Sequence, residues 1–188
     1  MPTPSPRVRI RPPHPDDERE FLEHTRASRS LHRPWSYPPD TPEAYRQLVR
    51  SASDPSEATS LIVRSRDGAI AGYARLSQVV LGNFRSAYLG YSAFVPFDGH
   101  GYMTEGVRLV LREAFGPIRL HRVEANVQPE NVRSIALVER LGFRREGYSP
   151  RYLKIGGRWR DHLRYAILAE EFLTAETARR TRSPRDPA

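Results

Sequence analysis

The sequence predicts one domain of the α/β (α+β) class, a mixed and mostly antiparallel sheet of about seven strands flanked by helices. Three observations predict it. Strand-like apolar runs lie between Thr59 and Val95, separated by polar turns such as Asp67-Gly68, the mark of an antiparallel meander. A glycine-containing turn then opens an amphipathic helix, and a second strand and helix follow, which is a strand-helix-strand crossover. At 188 residues the chain is long enough to bury a core without disulfides or a metal.

Val8 and Ile10 alternate with Arg7, Arg9 and Arg11 as in a half-buried strand, which Pro12-Pro13 ends. Asp16-Asp17-Glu18 favours a helix N-terminus, and Phe21, Leu22 and Thr25 follow at helical spacing toward about Ser28. The segment Leu31 to Pro39 is rich in aromatics and prolines, and it either packs over the core or lines a cleft. Thr41-Pro42-Glu43 opens a second helix with a cap and a proline at the first position. The three strands of the meander come next. Val107, Val110, Leu111, Ala114 and Phe115 form the apolar stripe of the first crossover helix, stopped by Gly116-Pro117. Arg122 to Val127 reads as a strand, and Pro129-Glu130-Asn131 as a turn and cap. Ile135, Leu137, Val138 and Leu141 then form a second helix face ending at Gly142. A closing hairpin turns at Gly156-Gly157. Residues 1–6 are expected to be a flexible N-terminus, 7–175 the domain, and 176–188 a disordered basic tail.

Thirty basic and 22 acidic residues leave a formal charge of +8, which favours an anionic partner without choosing among a nucleotide-like cofactor, an acidic protein and RNA. No cysteine is present, which removes disulfides, thiolate metal sites and a cysteine nucleophile. No run reaches the ~20 apolar residues of a membrane span, and a cytoplasmic location with no membrane partner is expected. No two of the six histidines lie at i, i+3 or i, i+4, so no metal site is expected.

The stretch Phe94 to Gly106 carries the clearest chemistry. Gly99 and Gly101 let the backbone bend tightly, and the first amides of the following helix, at the positive end of its dipole, face outward as an anion cradle.

With Gly99-His100-Gly101-Tyr102-Met103, His121 to Asn131, Leu141-Gly142-Phe143-Arg144-Arg145-Glu146-Gly147 and Gly157-Arg158-Trp159-Arg160-Asp161-His162 in place, the chain resembles the GNAT superfamily of N-acetyltransferases. It is similar in particular to the Rim-type branch that acetylates the N-terminal residue of ribosomal proteins, such as the ribosomal protein alanine N-acetyltransferases. The resemblance spans about Val8 to Phe172. It implies a GNAT fold whose sheet is splayed between the fourth and fifth strands, with acetyl-CoA as cosubstrate and no metal. It further implies direct attack by the amine in a ternary complex, by a monomer or dimer.

Under that resemblance, Phe94 and Val95 supply backbone amides to the pantetheine arm. The amides of Gly99, His100, Gly101, Tyr102, Met103 and Thr104 receive the pyrophosphate, and Asn126, Asn131 and Ser134 face the same cofactor. Two departures from the family pattern stand out. Asp98 occupies a position where Arg or Gln is common, and Val138 one where a tyrosine often serves as general acid. Ser134 is therefore the candidate for protonating the thiolate. Glu124 is the candidate base, with pairing to Arg122 or Arg140 as its plain structural alternative. Tyr152 and Asp161 are reserves that shape the acceptor groove. The expected acceptor is a protein N-terminus, and direct nucleic-acid contact is expected only through proximity to the ribosome. A small amine would call for a closed acidic pocket, and a non-catalytic acyl-CoA-binding domain is the other alternative.

Overall fold

The computed structural model describes residues 6–182, so the expectations for residues 1–5 and 183–188 lie outside the described residues. The strands are Val8–Arg11 (β1), Glu57–Arg64 (β2), Ile70–Val80 (β3), Ser86–Ala93 (β4), Arg122–Val127 (β5), Arg144–Ile155 (β6) and Arg158–Leu168 (β7). They form one sheet in the order β1-β2-β3-β4-β5-β7-β6, antiparallel at every junction except the parallel β4–β5 pair. The helices are Glu18–Ala27 (α1), Arg29–His32 (α2), Pro42–Ser51 (α3), Tyr102–Phe115 (α4), Val132–Leu141 (α5) and Ala169–Arg182 (α6).

Period-two alternation sorts the strand residues onto two faces. Leu61 and Val63 pack with Phe21, Leu22, Tyr45 and Leu48 of α1 and α3, whereas Ile62 packs with α4. That second contact is close. A Cβ added to Gly106 would lie 2.5 Å from Ile62, so the glycine lets α4 settle onto the sheet. Ala87, Leu89, Val123, Ala125 and Val127 join the α4–α5 core. Their neighbours Tyr88, Gly90, Ser92, Glu124 and Asn126 therefore fall on the α1–α3 face. Helix starts follow the sequence signals: Thr41 Oγ1 accepts from the Ala44 amide at 3.2 Å, and Asn131 Oδ1 from the Ser134 amide at 3.2 Å.

The parallel pairing is short. Ser86, Ala87 and Tyr88 match Arg122, Val123 and Glu124, and beyond that point β4 and β5 diverge. β5 keeps its other neighbour, β7, along its whole length from Arg122 to Val127. The result is a wedge-shaped opening in the sheet, closed at Tyr88 and Glu124.

One expectation is corrected. The stretch from residue 176 was expected to be disordered tail, but α6 runs on to Arg182. The cause is electrostatic and lies in a distant helix. Glu176 is buried and takes hydrogen bonds from Arg112, with Arg108 at 3.3 Å, so α6 is tied to α4.

Candidate active site

The anion cradle forms at the start of α4. Gly101 adopts the left-handed conformation (φ 82°) as N-cap, with no side chain capping the helix. Among the described residues, the amides of Gly99, His100, Gly101, Tyr102, Met103 and Thr104 meet no acceptor. The first backbone bond of the helix is the Glu105 amide to the Gly101 carbonyl at 3.2 Å. The Met103 side chain is buried against Gly72, leaving only its amide available. The rim carries a cation that sequence reasoning did not single out. Arg7 pairs with Glu105 and lies 5.3 Å over the Tyr102 ring, beside Gly101.

Asp98 finds a partner across the opening: Arg133, in the first turn of α5, approaches it at 3.6 Å. The carboxylate is thereby partly neutralised. Replacing it should have a small effect, so Asp98→Asn is expected to tighten acetyl-CoA by about two- to fivefold, less at high salt. Calorimetric titration at two salt concentrations checks this.

The backbone bonding on β4 corrects a second expectation. The Phe94 amide donates to the Ala71 carbonyl at 2.9 Å and the Val95 amide to Ser28 Oγ at 2.9 Å, so neither is available to a cofactor. The Phe94 ring is fully buried among Phe21, His24, His32 and Tyr73. Counting back from Phe94 by alternation, the amides of Ser92 and Gly90 also face β3, while those of Ala93 and Tyr91 face the opening. These two are the free edge amides. The Ala93 carbonyl, on the same edge, accepts from His32 Nε2 at 2.7 Å. His32 is buried, and burial lowers its pKa.

The aromatic loop after α2 bridges the elements around the opening. His32 holds β4, Gln128 at the end of β5 donates to the Trp35 carbonyl at 3.0 Å, and Tyr37 packs so closely on Gly156 that a Cβ there has no room. The contacts bear out the packing reading of this segment.

Ser134 makes the contact with the most chemical content. Its Oγ lies 2.6 Å from the Tyr91 hydroxyl, whose pKa is pushed up to about 12 by burial. Tyr91 was missed by sequence reasoning. Alternation could have placed it on the α4–α5 face, but only the packing of α5 on the sheet shows which residue it meets. Asn131 spends its Oδ1 on capping α5.

Glu124 stands at the closed end of the wedge, opposite Tyr88, with Oε1 accepting from Arg122 Nε at 2.8 Å. Its structural alternative is thus realised. Arg122 also binds Glu146. Tyr152 lies against Tyr88, a contact that comes first, with burial second, in pushing the Tyr88 phenol up to about 12. Its ring packs on buried His162 with centroids 5.9 Å apart. Asp161 accepts from the Tyr148 hydroxyl and the Arg151 amide, so it organises the hairpin. Asn126, past the closed end, has a buried Oδ1 with no partner. No cluster of three metal-ligating side chains occurs among the described residues.

Residues 7–144 match the family described as Acetyltransferase (GNAT) domain. A probable N-acetyltransferase of Bacillus subtilis, YjcK, is 40% identical over 107 residues, covering 57% of this chain and 59% of that protein. The [ribosomal protein uS5]-alanine N-acetyltransferase of Escherichia coli is 42% identical over 103 residues, covering 55% and 53%. The matched stretches therefore span little more than half the length of these two relatives. Among solved structures, Mycobacterium smegmatis RimJ in complex with CoA-disulfide superposes with a TM-score of 0.79 at 28% identity, covering 90% of this chain and 89% of that one.

Proposed function

The chain belongs to the GNAT acetyltransferase family, and from that premise we propose that it transfers acetyl from acetyl-CoA to the N-terminal α-amine of a protein, such as a ribosomal protein. The observation that carries the reading is two sets of outward-facing amides: those of Gly99 to Thr104 at a helix N-terminus, and those of Tyr91 and Ala93 on the edge of β4 that faces the opening. These fit CoA, whose pyrophosphate suits the cradle and whose amide-bearing arm suits an open strand edge. Arg7 and Arg133 add positive charge beside it.

Acetyl-CoA supplies the acyl group as a thioester. The Tyr91 amide is placed to donate to the developing oxyanion at the edge of β4. The Ser134 hydroxyl, backed by Tyr91, protonates the departing sulfur. Tyr152 and His162 shape the acceptor face. Because Arg122 occupies Oε1 of Glu124, we assign Glu124 to an ion pair rather than to proton removal. Glu124→Gln should then change kcat less than about threefold between about pH 6 and 9. A loss of about a hundredfold would restore Glu124 as the base.

A protein acceptor is the reading that the likeness to the uS5-alanine N-acetyltransferase supports. Incubation with acetyl-CoA and N-terminal ribosomal-protein peptides, following free thiol and peptide mass, tests the reading. Cofactor binding with spermidine turnover but no peptide turnover would overturn the acceptor assignment.

A further inference from the structure

Beyond Tyr88 and Glu124, β4 and β5 no longer pair with each other, yet one short turn bonds to both strands. On β4, the Ala93 carbonyl accepts from His32 Nε2 at 2.7 Å. Just past β5, Gln128 Nε2 donates to the Trp35 carbonyl at 3.0 Å. His32 and Trp35 belong to the same turn, whose backbone closes with the Ser36 amide on the His32 carbonyl at 2.9 Å. The two anchor points therefore form one stiff unit and move together.

Both anchoring side chains are buried, His32 at 4% and Gln128 at 6% exposure. A buried imidazole or carboxamide is stable only when its polar atoms find partners, and each of these commits a donor to a main-chain carbonyl. The place of the two bonds gives them a further consequence. Ser92 and Gln128 are each four residues beyond the last paired residues, Tyr88 and Glu124, so the turn crosses the opening beside the Tyr91 and Ala93 amides. Strand edges with unpaired backbone groups tend to close on one another, and a turn bonded to both fixes their separation instead. The turn lies on the α1–α3 side, where His32 packs on Phe94, opposite the helices α4 and α5 that carry the cradle and Ser134.

We propose that His32 and Gln128 are positioning residues, and that the His32–Trp35 turn is a strap that sets the gap receiving the pantetheine arm of acetyl-CoA. This rests on the acetyltransferase reading and deepens it. Neither side chain touches a reacting atom. Both act through the edge amides of Tyr91 and Ala93, whose distance from β5 they hold. A gap preset in this way accepts the arm without the strands first having to part.

The test uses His32→Leu, Gln128→Glu and the double variant in the full chain, with folding checked by thermal unfolding. Calorimetric titrations compare acetyl-CoA with ADP, which carries the pyrophosphate but no arm. Each single variant removes one N–H donor and is expected to weaken acetyl-CoA about tenfold, with ADP changed less than about twofold. The double variant should stay within about twofold of the weaker single, because losing one anchor already frees the strap. Two independent contacts would instead multiply to a loss of about a hundredfold. His32→Gln keeps a donor and should recover most of the affinity. Unchanged acetyl-CoA binding in both single variants, multiplying losses in the double, or an equal loss for ADP would each overturn the proposal. Should His32→Leu fail to fold, Gln128→Glu with its ADP control decides alone. A wild-type protein that binds no acetyl-CoA would overturn the acetyltransferase reading itself, and this proposal with it.

Discussion

Phe94→Ala is expected to lower stability by about 3–5 kcal/mol, because it empties a fully buried ring site. Phe21 meets the Phe94 ring edge-on at 5.2 Å, and His24 stacks on it at 5.8 Å. His32 and Tyr73 close the other sides. These neighbours come from α1, α2 and β3, which have little freedom to collapse together into the cavity. With domains of this size stable by only about 5–15 kcal/mol, a large share of the folding free energy would go. Urea titration gives the number. Phe94→Leu keeps more of the volume and should cost less than half as much. A loss below about 1 kcal/mol for Phe94→Ala would mean that the ring does not anchor the α1–α3 layer.

Ser134→Ala is expected to lower kcat about a hundredfold while leaving acetyl-CoA affinity and stability nearly unchanged. The half-buried hydroxyl is replaced by a methyl group, and the Tyr91 hydroxyl retains the Ser134 carbonyl, 3.3 Å away, as an acceptor. What is lost is the proton donor for the sulfur. The defect should therefore shrink with an acyl donor whose thiol is more acidic, since such a leaving group needs no protonation. Tyr91→Phe should show the same leaving-group dependence, because Tyr91 acts through Ser134. Unchanged kcat in both variants would place the proton source elsewhere.

Most of the architecture was legible in the sequence because it rests on local patterning. Alternation in Leu61-Ile62-Val63, the Thr41 and Asn131 caps and the glycine pair at 99 and 101 each specify their element from a few adjacent residues. The cradle was legible for the same reason, since a glycine turn opening a helix needs no distant partner. The tail was misread because Glu176 looks like any solvent-facing glutamate until Arg108 and Arg112 are placed beneath it. Phe94 and Val95 were misassigned for a related reason. Which edge of β4 an amide faces depends on the hydrogen-bonding phase between β3 and β4, and that phase is set by the pairing of Ala71 with Phe94.

The sequence by itself determined the order of the seven strands, the family, and a cradle of backbone amides at a helix N-terminus, all encoded at short range. Only the tertiary structure decided the pairings across the opening: Tyr91 with Ser134, and Asp98 with Arg133. Each of these depends on how far β4 and β5 diverge and where α5 comes to rest. Those distances follow from packing among residues far apart in the chain, and no local pattern records them.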